Sequence, residues 1–349
     1  MRRTLSQTRK QARLSKDALA DRLGVTVSWL SALELDDDNG VAPAAMVERA
    51  MLALDLASLD IVASAEDLSA AIQRATDIAG YVRLHMSLEG RELTDEAVAR
   101  IMRKTAFTMV AKMEQPTGKL GPNYYRLNDS PESSCKTVEL PPLPSVAEHT
   151  PARGDTNIRL AEEDRESLVP ALSGIQLLAE VDEWESINIA SALIWLQSHP
   201  YSTSTELLDV IALREIHKRM FEDVWTWAGR FRRRETNIGV SPDQITTQLA
   251  VLLGNTEEQV SQNTFSPEEL CVRFHFALVS IHCFPNGNGR HARLVTDELR
   301  RTIGQSGLPF TWGCRSGLSG ADRRRRYLHA LRVADTSGRF DELLELALA

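Results

Sequence analysis

HCFPNGNGRHAR, residues 282–293, is the stretch that decides the fold of the C-terminal half of this 349-residue chain. Residues 270–281 before it are apolar at helical spacing, and residues 291–302 after it favour a second helix. The glycines within residues 286–289 therefore predict a tight turn between the two helices. Free backbone N–H groups and the positive end of the second helix dipole would converge on this turn. The pattern predicts an anion site at a helix N-terminus.

Three ionisable side chains flank the predicted turn. Arg290 and Arg293 add fixed positive charge that suits phosphate oxygens. His282 lies at the rim and has a side chain that can accept a proton near neutral pH. Each feature alone is common in structural turns between helices. A base, a phosphate nest and two arginines together indicate phosphoryl or nucleotidyl transfer.

This stretch resembles the signature of the Fic family, His-Pro-Phe-x-(Asp/Glu)-Gly-Asn-Gly-Arg-x-x-Arg. The matching positions are His282, Phe284, Gly287, Asn288, Gly289, Arg290 and Arg293. Cys283 stands in place of the proline, and Asn286 stands in place of the acid. The flanking stretches also resemble Fic proteins of the mobile mystery protein B type, and these are residues 186–196, 213–232 and 273–299. The resemblance covers about half of the chain.

The resemblance implies a nucleotidyltransferase that moves AMP from ATP to a hydroxyl of a target protein, with Mg²⁺ as cofactor. His282 would take the proton from the attacking hydroxyl, and a buried Phe284 would anchor the turn. Phosphate oxygens would be bound by the backbone of Gly287, Asn288 and Gly289 and by the side chains of Arg290 and Arg293. Asn286 would lie beside Mg²⁺, where its neutral oxygen should bind the ion more weakly than a carboxylate.

The resemblance also implies a mainly α fold with a short β-hairpin flap before the active helix. Residues 232–240 lie where this flap would be, and strand addition there would hold the target through main-chain pairing. The residues predicted to bind the target are Arg234, Glu235, Thr236, Asn237 and Ile238. An ordinary surface loop is the alternative interpretation of this segment.

The N-terminal segment is basic within an acidic chain. Residues 1–34 hold seven basic and three acidic side chains, whereas the whole chain has a net charge of −8. The stretch LSKDALADRLGVTVSWLSALE, residues 14–34, predicts two helices that start at Ser15 and Thr26 and are separated by Gly24. It resembles the helix-turn-helix of Xre-type repressors.

A helix-turn-helix would place its second helix in the major groove of DNA. The predicted base-reading side chains are Thr26, Val27, Ser28 and Trp29, and Arg13 and Lys16 are predicted to meet phosphates. The alternatives are a small helical bundle with a solvated basic face and, for Trp29, a place in the core. Net charge argues against nucleic-acid binding along the whole chain but does not exclude this local patch.

We predict four segments along the chain. They are a helix-turn-helix domain (1–63), a helical extension (64–115), a Pro-rich linker (116–158) and the Fic domain (159–349). The linker holds seven of the chain's 14 prolines, a composition that opposes regular structure. The extension is a dimerisation element, an antitoxin-like piece or a helical spacer, and a helix within it is predicted to start near Thr94. Further helices are predicted over 188–196 and 205–225 and from Ser266 onwards.

Composition places the chain among soluble globular proteins. Hydrophobic residues make up 43% and charged residues 25%, and no apolar run approaches the roughly 18 residues of a membrane span. The four cysteines show no paired spacing, so neither a disulfide framework nor a zinc knuckle is predicted. A cytoplasmic location is expected, with operator DNA, a protein target and a second copy of the chain as partners.

The predicted function is a Fic-type adenylyltransferase fused to an autoregulatory DNA-binding head, in a toxin–antitoxin arrangement. A non-catalytic regulator that only binds nucleotide or a partner is the alternative, and Asn286 favours it. A metal hydrolase built on His275, His282 and His291 is disfavoured because their spacing differs from that of known zinc motifs. Many Fic proteins carry an inhibitory helix with (Ser/Thr)-x-x-x-Glu-(Gly/Asn), and no clean match to this pattern is found.

Overall fold

The structure, a computed structural model, is built mainly from α-helices. It describes residues 4–23, 26–40, 42, 47, 50, 51, 53, 54, 65–113, 159–304 and 309–349. This part of the chain contains no β-strand, and isolated bridges join Arg159 to Leu177 and Leu168 to Trp225. The predicted mainly helical class is therefore confirmed for the described residues. The predicted linker, 116–158, lies outside them.

The described residues divide into two compact units. The first holds the described residues up to Ala79 together with those from Thr94 to Met113. The second holds Gly80–Leu93 and the described residues from Arg159 to the C-terminus. Residues of the predicted extension, 64–115, thus occur in both units.

The first unit contains helices whose N-termini follow from their capping residues. These helices are α1 (Leu5–Gln11), α2 (Lys16–Leu23), α3 (Val27–Asp38), the first part of α4 (Ala65–Leu88) and α5 (Asp95–Met113). Ser15 Oγ accepts the N–H of Ala18 at 3.0 Å, and Thr26 Oγ1 accepts the N–H of Trp29 at 3.2 Å. Thr94 caps α5 in the same way. The three predicted helix starts are confirmed because each short polar side chain satisfies an otherwise unpaired N–H group.

A buried ion pair lies inside the first unit. Arg9 Nε lies 2.5 Å from Glu34 Oε1, and neither side chain is more than 8% exposed. Leu5 of α1, Leu19 of α2 and Leu30 of α3 are fully buried. The pair and these leucines hold α3 against α1 and α2.

The second unit is a helical assembly around one central helix, α12. It contains the end of α4 and the helices α6 (Glu162–Glu166), α7 (Leu178–Ser198), α8 (Ser204–Leu207), α9 (Val210–Phe221), α10 (Ile245–Gln262), α11 (Pro267–Ile281), α12 (Asn288–Thr302), α13 (Gly320–Ser337) and α14 (Asp341–Leu348). Helix α12 packs against α11, α9 and α8, and it is buried along most of its length. None of the described helices combines the length and the apolar composition that crossing a bilayer requires.

The helices that lead to the turn differ in part from the predicted ones. Ser266 Oγ accepts the N–H of Glu269 and Pro267 occupies the first position of α11, so this predicted start is confirmed. The single helix predicted over 205–225 is instead two helices, α8 and α9, and the second of them ends at Phe221. Asp209 accepts the N–H groups of Ile211 at 2.6 Å and Ala212 at 3.3 Å, and this cap starts a new helix, α9, after α8 has ended.

The predicted β-hairpin over residues 232–240 is not formed. The segment is an irregular loop whose backbone pairs with the turn after α11 instead of with itself. The N–H of Arg232 donates to the carbonyl of Cys283 at 3.0 Å, and the N–H of Val240 donates to the carbonyl of Ile281 at 3.3 Å. Glu235, Asn237 and Gly239 within the segment have low strand propensity, which is consistent with the loop.

Candidate active site

The turn between α11 and α12 is built on two left-handed residues. His282 ends α11 with φ 56°, and Gly287 precedes α12 with φ 77°. Position 287 requires glycine, because a Cβ there would lie 2.5 Å from the ring of Phe221. For His282 the same conformation costs about 1–3 kcal/mol, so the surrounding contacts must hold it in place.

Asn288 closes the turn with its side chain. Its Oδ1 accepts the N–H of Phe284 at 2.9 Å, and its Nδ2 donates to the carbonyl of Phe284 at 2.8 Å. The first N–H groups of α12, which starts at Asn288, have no acceptor within the helix. The predicted helix N-terminus is therefore present beside Gly287, Asn288 and Gly289. Phosphate binding by this backbone stays a prediction.

The inner side of the turn rests on His217, which the sequence analysis did not single out. Phe284 is 1% exposed, so its expected burial is confirmed, and its ring stacks on the imidazole at a centroid distance of 3.6 Å. The N–H of Gly229 donates to Nδ1 at 3.0 Å, and Nε2 lies 3.1 Å from the carbonyl of Asn286. Burial lowers the pKa of His217 well below its ordinary value. A neutral ring with Nε2 protonated satisfies both contacts.

Arg293 is fully buried and points its guanidinium toward the last turn of α4. Its Nε donates to Nδ1 of His85 at 2.9 Å, and its Nη2 donates to the carbonyl of His85 at 3.1 Å and to Oε1 of Glu89 at 2.7 Å. Burial, with Arg293 as the next cause, lowers the pKa of His85 well below its ordinary value. The imidazole is therefore a neutral acceptor for this arginine.

The carboxylate of Glu89 lies against the first turn of α12. A Cβ on Gly289 would lie 2.5 Å from Glu89 Oε1 and 3.3 Å from Arg293 Nη1. Burial tends to raise the pKa of Glu89, but the guanidinium groups of Arg293 and Arg290 bring it below its ordinary value. The Glu89 side chain remains 31% exposed, whereas that of Arg293 is 0% exposed. An anion thus stands at the predicted site.

Glu89 was not predicted from the sequence, because His85 departs from the pattern that would have identified it. The chain reads His85-Met86-Ser87-Leu88-Glu89-Gly90, so histidine occupies the position at which the inhibitory pattern of the Fic family has Ser or Thr. The structure places this glutamate beside Arg293, although the sequence has no clean match to the pattern. A pattern that accepted any hydrogen-bonding residue at the first position would have found Glu89.

Arg290 is engaged on the opposite side of α12. Its Nη1 donates to Oε2 of Glu185, and the two side chains are 2% and 0% exposed. Arg91 Nη1 lies 2.8 Å from the same oxygen, and Trp225 Nε1 donates to Oε1 at 2.6 Å. The structure therefore places Arg290 in a buried ionic network. Its predicted role as a phosphate ligand is not tested by this contact.

His282 is the one histidine of the suggested trio that remains partly exposed. Burial and the nearby guanidinium of Arg232 lower its pKa, so its imidazole is neutral and able to accept a proton at neutral pH. His275 contacts Tyr327 Oη at 3.0 Å, and His291 contacts the carbonyl of Leu213 at 2.9 Å. Both lie in the core, and among the described residues no group of three or more acidic, Cys or His side chains could hold a metal ion.

Asn286 offers a single neutral oxygen to a cation. Its Oδ1 already accepts the N–H of Gly287 at 2.7 Å, and the residue is half-buried. Mg²⁺ prefers an octahedral set of hard oxygen ligands. The protein side chain fits this ion as one ligand, and the others would have to come from nucleotide phosphates and water.

The predicted target-binding residues belong to the second unit, and the predicted DNA-binding residues belong to the first. Arg234, Glu235, Thr236, Asn237 and Ile238 are all exposed. In the first unit Arg13, Thr26, Val27 and Ser28 are exposed, and Trp29 is half-buried. Lys16 differs from the expectation of a free cation, because its Nζ lies 3.0 Å from Ser31 Oγ and 3.5 Å from Glu34 Oε2.

Comparison with known proteins identifies part of the second unit. Residues 207–299 match the model of the Fic/DOC family. The protein adenylyltransferase fic-1 of Caenorhabditis elegans is 30% identical over 130 residues, which are 36% of this chain and 25% of that protein. Its counterpart in Caenorhabditis briggsae is 28% identical over the same shares. The chain thus spans about a quarter of the length of these curated relatives.

Among solved structures, the BepC protein of Bartonella tribocorum with bound AMPPNP is similar to this chain. The alignment covers 50% of this chain and 87% of BepC at 20% identity, with a TM-score of 0.39. The family match includes the whole turn from His282 to Arg293 and helix α9 beneath it. Residues 207–299 therefore carry a Fic domain, as the signature predicted.

Proposed function

We propose that this protein transfers AMP from ATP to a hydroxyl group of another protein. The observation that carries the proposal is the Glu89 carboxylate, which lies 2.7 Å from the buried Arg293 and against Gly289 at the start of α12. A place that holds a carboxylate beside a helix N-terminus and a guanidinium is chemically suited to phosphate. The similarity to proteins named adenylyltransferases over 130 residues gives independent support.

The reaction would follow from the residues around the turn. The acceptor oxygen attacks the α-phosphorus of ATP, the bond from that phosphorus to the bridging oxygen breaks, and pyrophosphate leaves. The neutral imidazole of His282 takes the proton of the acceptor hydroxyl. Arg293 and the first N–H groups of α12 bind phosphate oxygens and offset their charge. Such catalysis consists mainly of positioning and electrostatic stabilisation.

Mg²⁺ would neutralise charge on the ATP phosphates when bound. Asn286 is the side chain of the turn that would contribute an oxygen ligand to it. Because that oxygen is neutral and also accepts the N–H of Gly287, the protein would bind the ion weakly without nucleotide.

ATP and Glu89 would compete for the same positive groups. The carboxylate would have to leave Arg293 before a phosphate could take its place, and its 31% exposure gives it a route to solvent. We therefore propose that the chain, with Glu89 in this position, is in a restrained state and that nucleotide binding shifts it toward an open one.

The test is transfer of label from α-labelled ATP to protein. His282→Ala should lower the labelling rate by about 10²–10⁴-fold, the usual contribution of a general base. Binding of ATP should remain nearly unchanged, because His282 acts on the acceptor. Equal labelling by the variant and the wild type would refute the assignment. Nucleotide binding without labelling by either protein would support the alternative, a non-catalytic regulator.

We further propose that the first unit binds operator DNA and represses its own expression, in a toxin–antitoxin arrangement. The favouring observation is the start of α3, where Thr26, Val27 and Ser28 are exposed side by side after a capped N-terminus. A helix that presents consecutive short side chains at its N-terminus suits base edges in a major groove. The test is a mobility shift of its own promoter by the full chain.

A further inference from the structure

Arg232 is the buried exception in an exposed loop. Its side chain is 4% exposed, whereas residues 233–239 that follow it are exposed. A buried guanidinium needs several hydrogen-bond acceptors to offset the water that it has lost. The acceptors it has found are backbone carbonyls of the loop and of His282.

One side chain thereby joins three places in the backbone. Arg232 Nε donates to the carbonyl of His282 at 2.7 Å, Nη1 donates to the carbonyl of Arg234 at 3.0 Å, and Nη2 donates to the carbonyl of Val240. The N–H of Arg232 adds a fourth bond, to the carbonyl of Cys283. The planar, forked donor set of arginine makes this arrangement possible, and a lysine has no equivalent.

These bonds act where His282 needs support. The residue ends α11 in a left-handed conformation, φ 56°, and its carbonyl lies at a helix end where intrahelical partners are missing. Gly239, with φ 110°, packs so closely that a Cβ would lie 2.6 Å from His282 Cβ and 2.7 Å from Arg232 Nη2. A shift of the loop would therefore be transmitted to the base.

The charged groups that act on the imidazole are few. Burial lowers the pKa of His282, Arg232 lowers it further, and Glu89 acts in the opposite direction. Arg232 thus has two separable effects on His282, one through geometry and one through charge.

We propose that Arg232 is a positioning residue that couples the loop 232–240 to His282. Through this coupling, the acceptor segment that the loop would hold and the imidazole that would activate it keep a fixed relative position. The part of this inference that concerns acceptor activation rests on the proposed transfer of AMP. The coupling between loop and histidine does not, and it is tested separately.

Three variants separate geometry from charge. Arg232→Met removes both, whereas Arg232→Lys keeps the positive charge and loses the forked donor set. Arg230→Met is the matched control, because it removes an exposed arginine two residues before Arg232 and outside the loop 232–240. Thermal unfolding of each variant shows whether the fold is retained.

The first readout is the initial rate of label transfer from α-labelled ATP to the proteins of a cell lysate. We expect Arg232→Met and Arg232→Lys to lower the rate by about 10- to 100-fold, the cost of misplacing a catalytic group by about 1 Å. The KM for ATP should stay close to that of the wild type, since Arg232 holds the base and not the nucleotide. Arg230→Met should label at the wild-type rate. Failure of the wild type to label any protein would refute the proposed function. The coupling between the loop and His282 would then be tested by the second readout alone.

The second readout is the NMR titration of the His282 imidazole, assigned by comparison with His282→Ala. The imidazole should titrate at higher pH in Arg232→Met than in the wild type, because Arg232 lowers its pKa. In Arg232→Lys and in Arg230→Met it should titrate near the wild-type pH. Amide signals of residues 232–240 should shift in both Arg232 variants. If Arg232→Met does not fold, Arg232→Lys decides through its rate and amide shifts. Wild-type rates, titrations and amide signals in both Arg232 variants would overturn the coupling.

Discussion

Two ion pairs lie one helical turn apart on α12, and they differ in whether water can reach the acid. Glu185, the partner of Arg290, is 0% exposed and also binds Arg91 and Trp225. Glu89, the partner of Arg293, is 31% exposed. The signature presents the two arginines as equals, but the burial of their partners assigns them different tasks. Under the proposed function, the Arg290 pair is structural, and the Arg293 pair exchanges its carboxylate for a phosphate.

Glu185→Gln should give the largest effect, and it should be one of stability. The change would leave Arg290 without its buried counter-charge, although Arg91 would keep Asp182 at 2.6 Å. Breaking a buried ion pair in this way typically costs about 3–5 kcal/mol. Chemical denaturation should show this loss in the free energy of unfolding, and ATP should not restore it. A Glu185→Gln protein whose lost stability returns on addition of ATP would contradict a purely structural role for this pair.

Glu89→Gln should have a smaller effect on stability and a visible one on nucleotide binding. Without the competing carboxylate, the apparent affinity for ATP should rise by roughly tenfold. The reason is that ATP no longer has to displace Glu89 from Arg293 before it binds. Titration calorimetry measures the affinity, and α-labelled ATP should show faster transfer. The midpoint temperature of thermal unfolding should be lower than that of the wild type without ATP and should recover when ATP is added.

Glu92→Gln is the matched control for this variant, because Glu92 is exposed and follows Glu89 by three residues. It should bind ATP like the wild type. Equal ATP affinity in the Glu89 and Glu92 variants would mean that the carboxylate does not guard the site, and the contrast between the two pairs would then concern stability alone.

The sequence predicted the parts of this site that are local. The turn, its left-handed glycine and the N-terminus of α12 follow from residues 286–289 because glycine spacing and helix capping act over a few positions. The partners of the arginines were not predictable in this way. Glu89 and Glu185 are about 200 and about 105 residues distant from their arginines in the chain. Such pairings are set by how helices pack, which periodicity alone does not determine.

The failed flap prediction has the same origin. Residues 232–240 were expected to pair with each other as a hairpin, and instead their backbone and Arg232 bond to residues 281–283. A buried arginine among exposed neighbours leaves no periodic signal in a loop sequence. The short side chains at helix starts were predicted correctly, at Ser15, Thr26 and Ser266, because a cap acts on the two or three residues that follow it.

Asn286→Asp tests how much the proposed nucleotide site near Arg293 gains from a negative charge that can bind Mg²⁺. A carboxylate at this position would give Mg²⁺ a charged ligand, and a unit charge about 4 Å away in water is worth about 1 kcal/mol, or about fivefold in binding. Labelling rates measured across a Mg²⁺ series should therefore saturate at lower Mg²⁺. Lower activity at every Mg²⁺ concentration would instead give Asn286 another role, such as donating its amide N–H to a phosphate.

The contrast between engaged and available cations also applies to the first unit, where the expected effects are the smallest. Lys16 is paired with Glu34 and Ser31, whereas Arg13 is exposed. If the unit binds DNA, Arg13→Ala in the full chain should weaken binding to all sequences alike and reduce the slope of log affinity against log salt by about one, the loss of one phosphate contact. Lys16→Ala should leave the slope nearly unchanged, because its charge is already offset by Glu34 inside the unit.

Fluorescence anisotropy with promoter and unrelated duplexes at several salt concentrations measures both quantities for Arg13→Ala and Lys16→Ala. Ser28→Ala serves as the reference for base readout, since it should narrow the gap between the two duplexes without changing the salt slope. Equal slopes for the two cation variants would show that Lys16 leaves Glu34 and contacts a phosphate when DNA binds. The paired lysine would then contribute as much to binding as the exposed Arg13. No binding at low salt would refute DNA binding by the first unit. The exposed start of α3 would then be better explained as a surface for another protein.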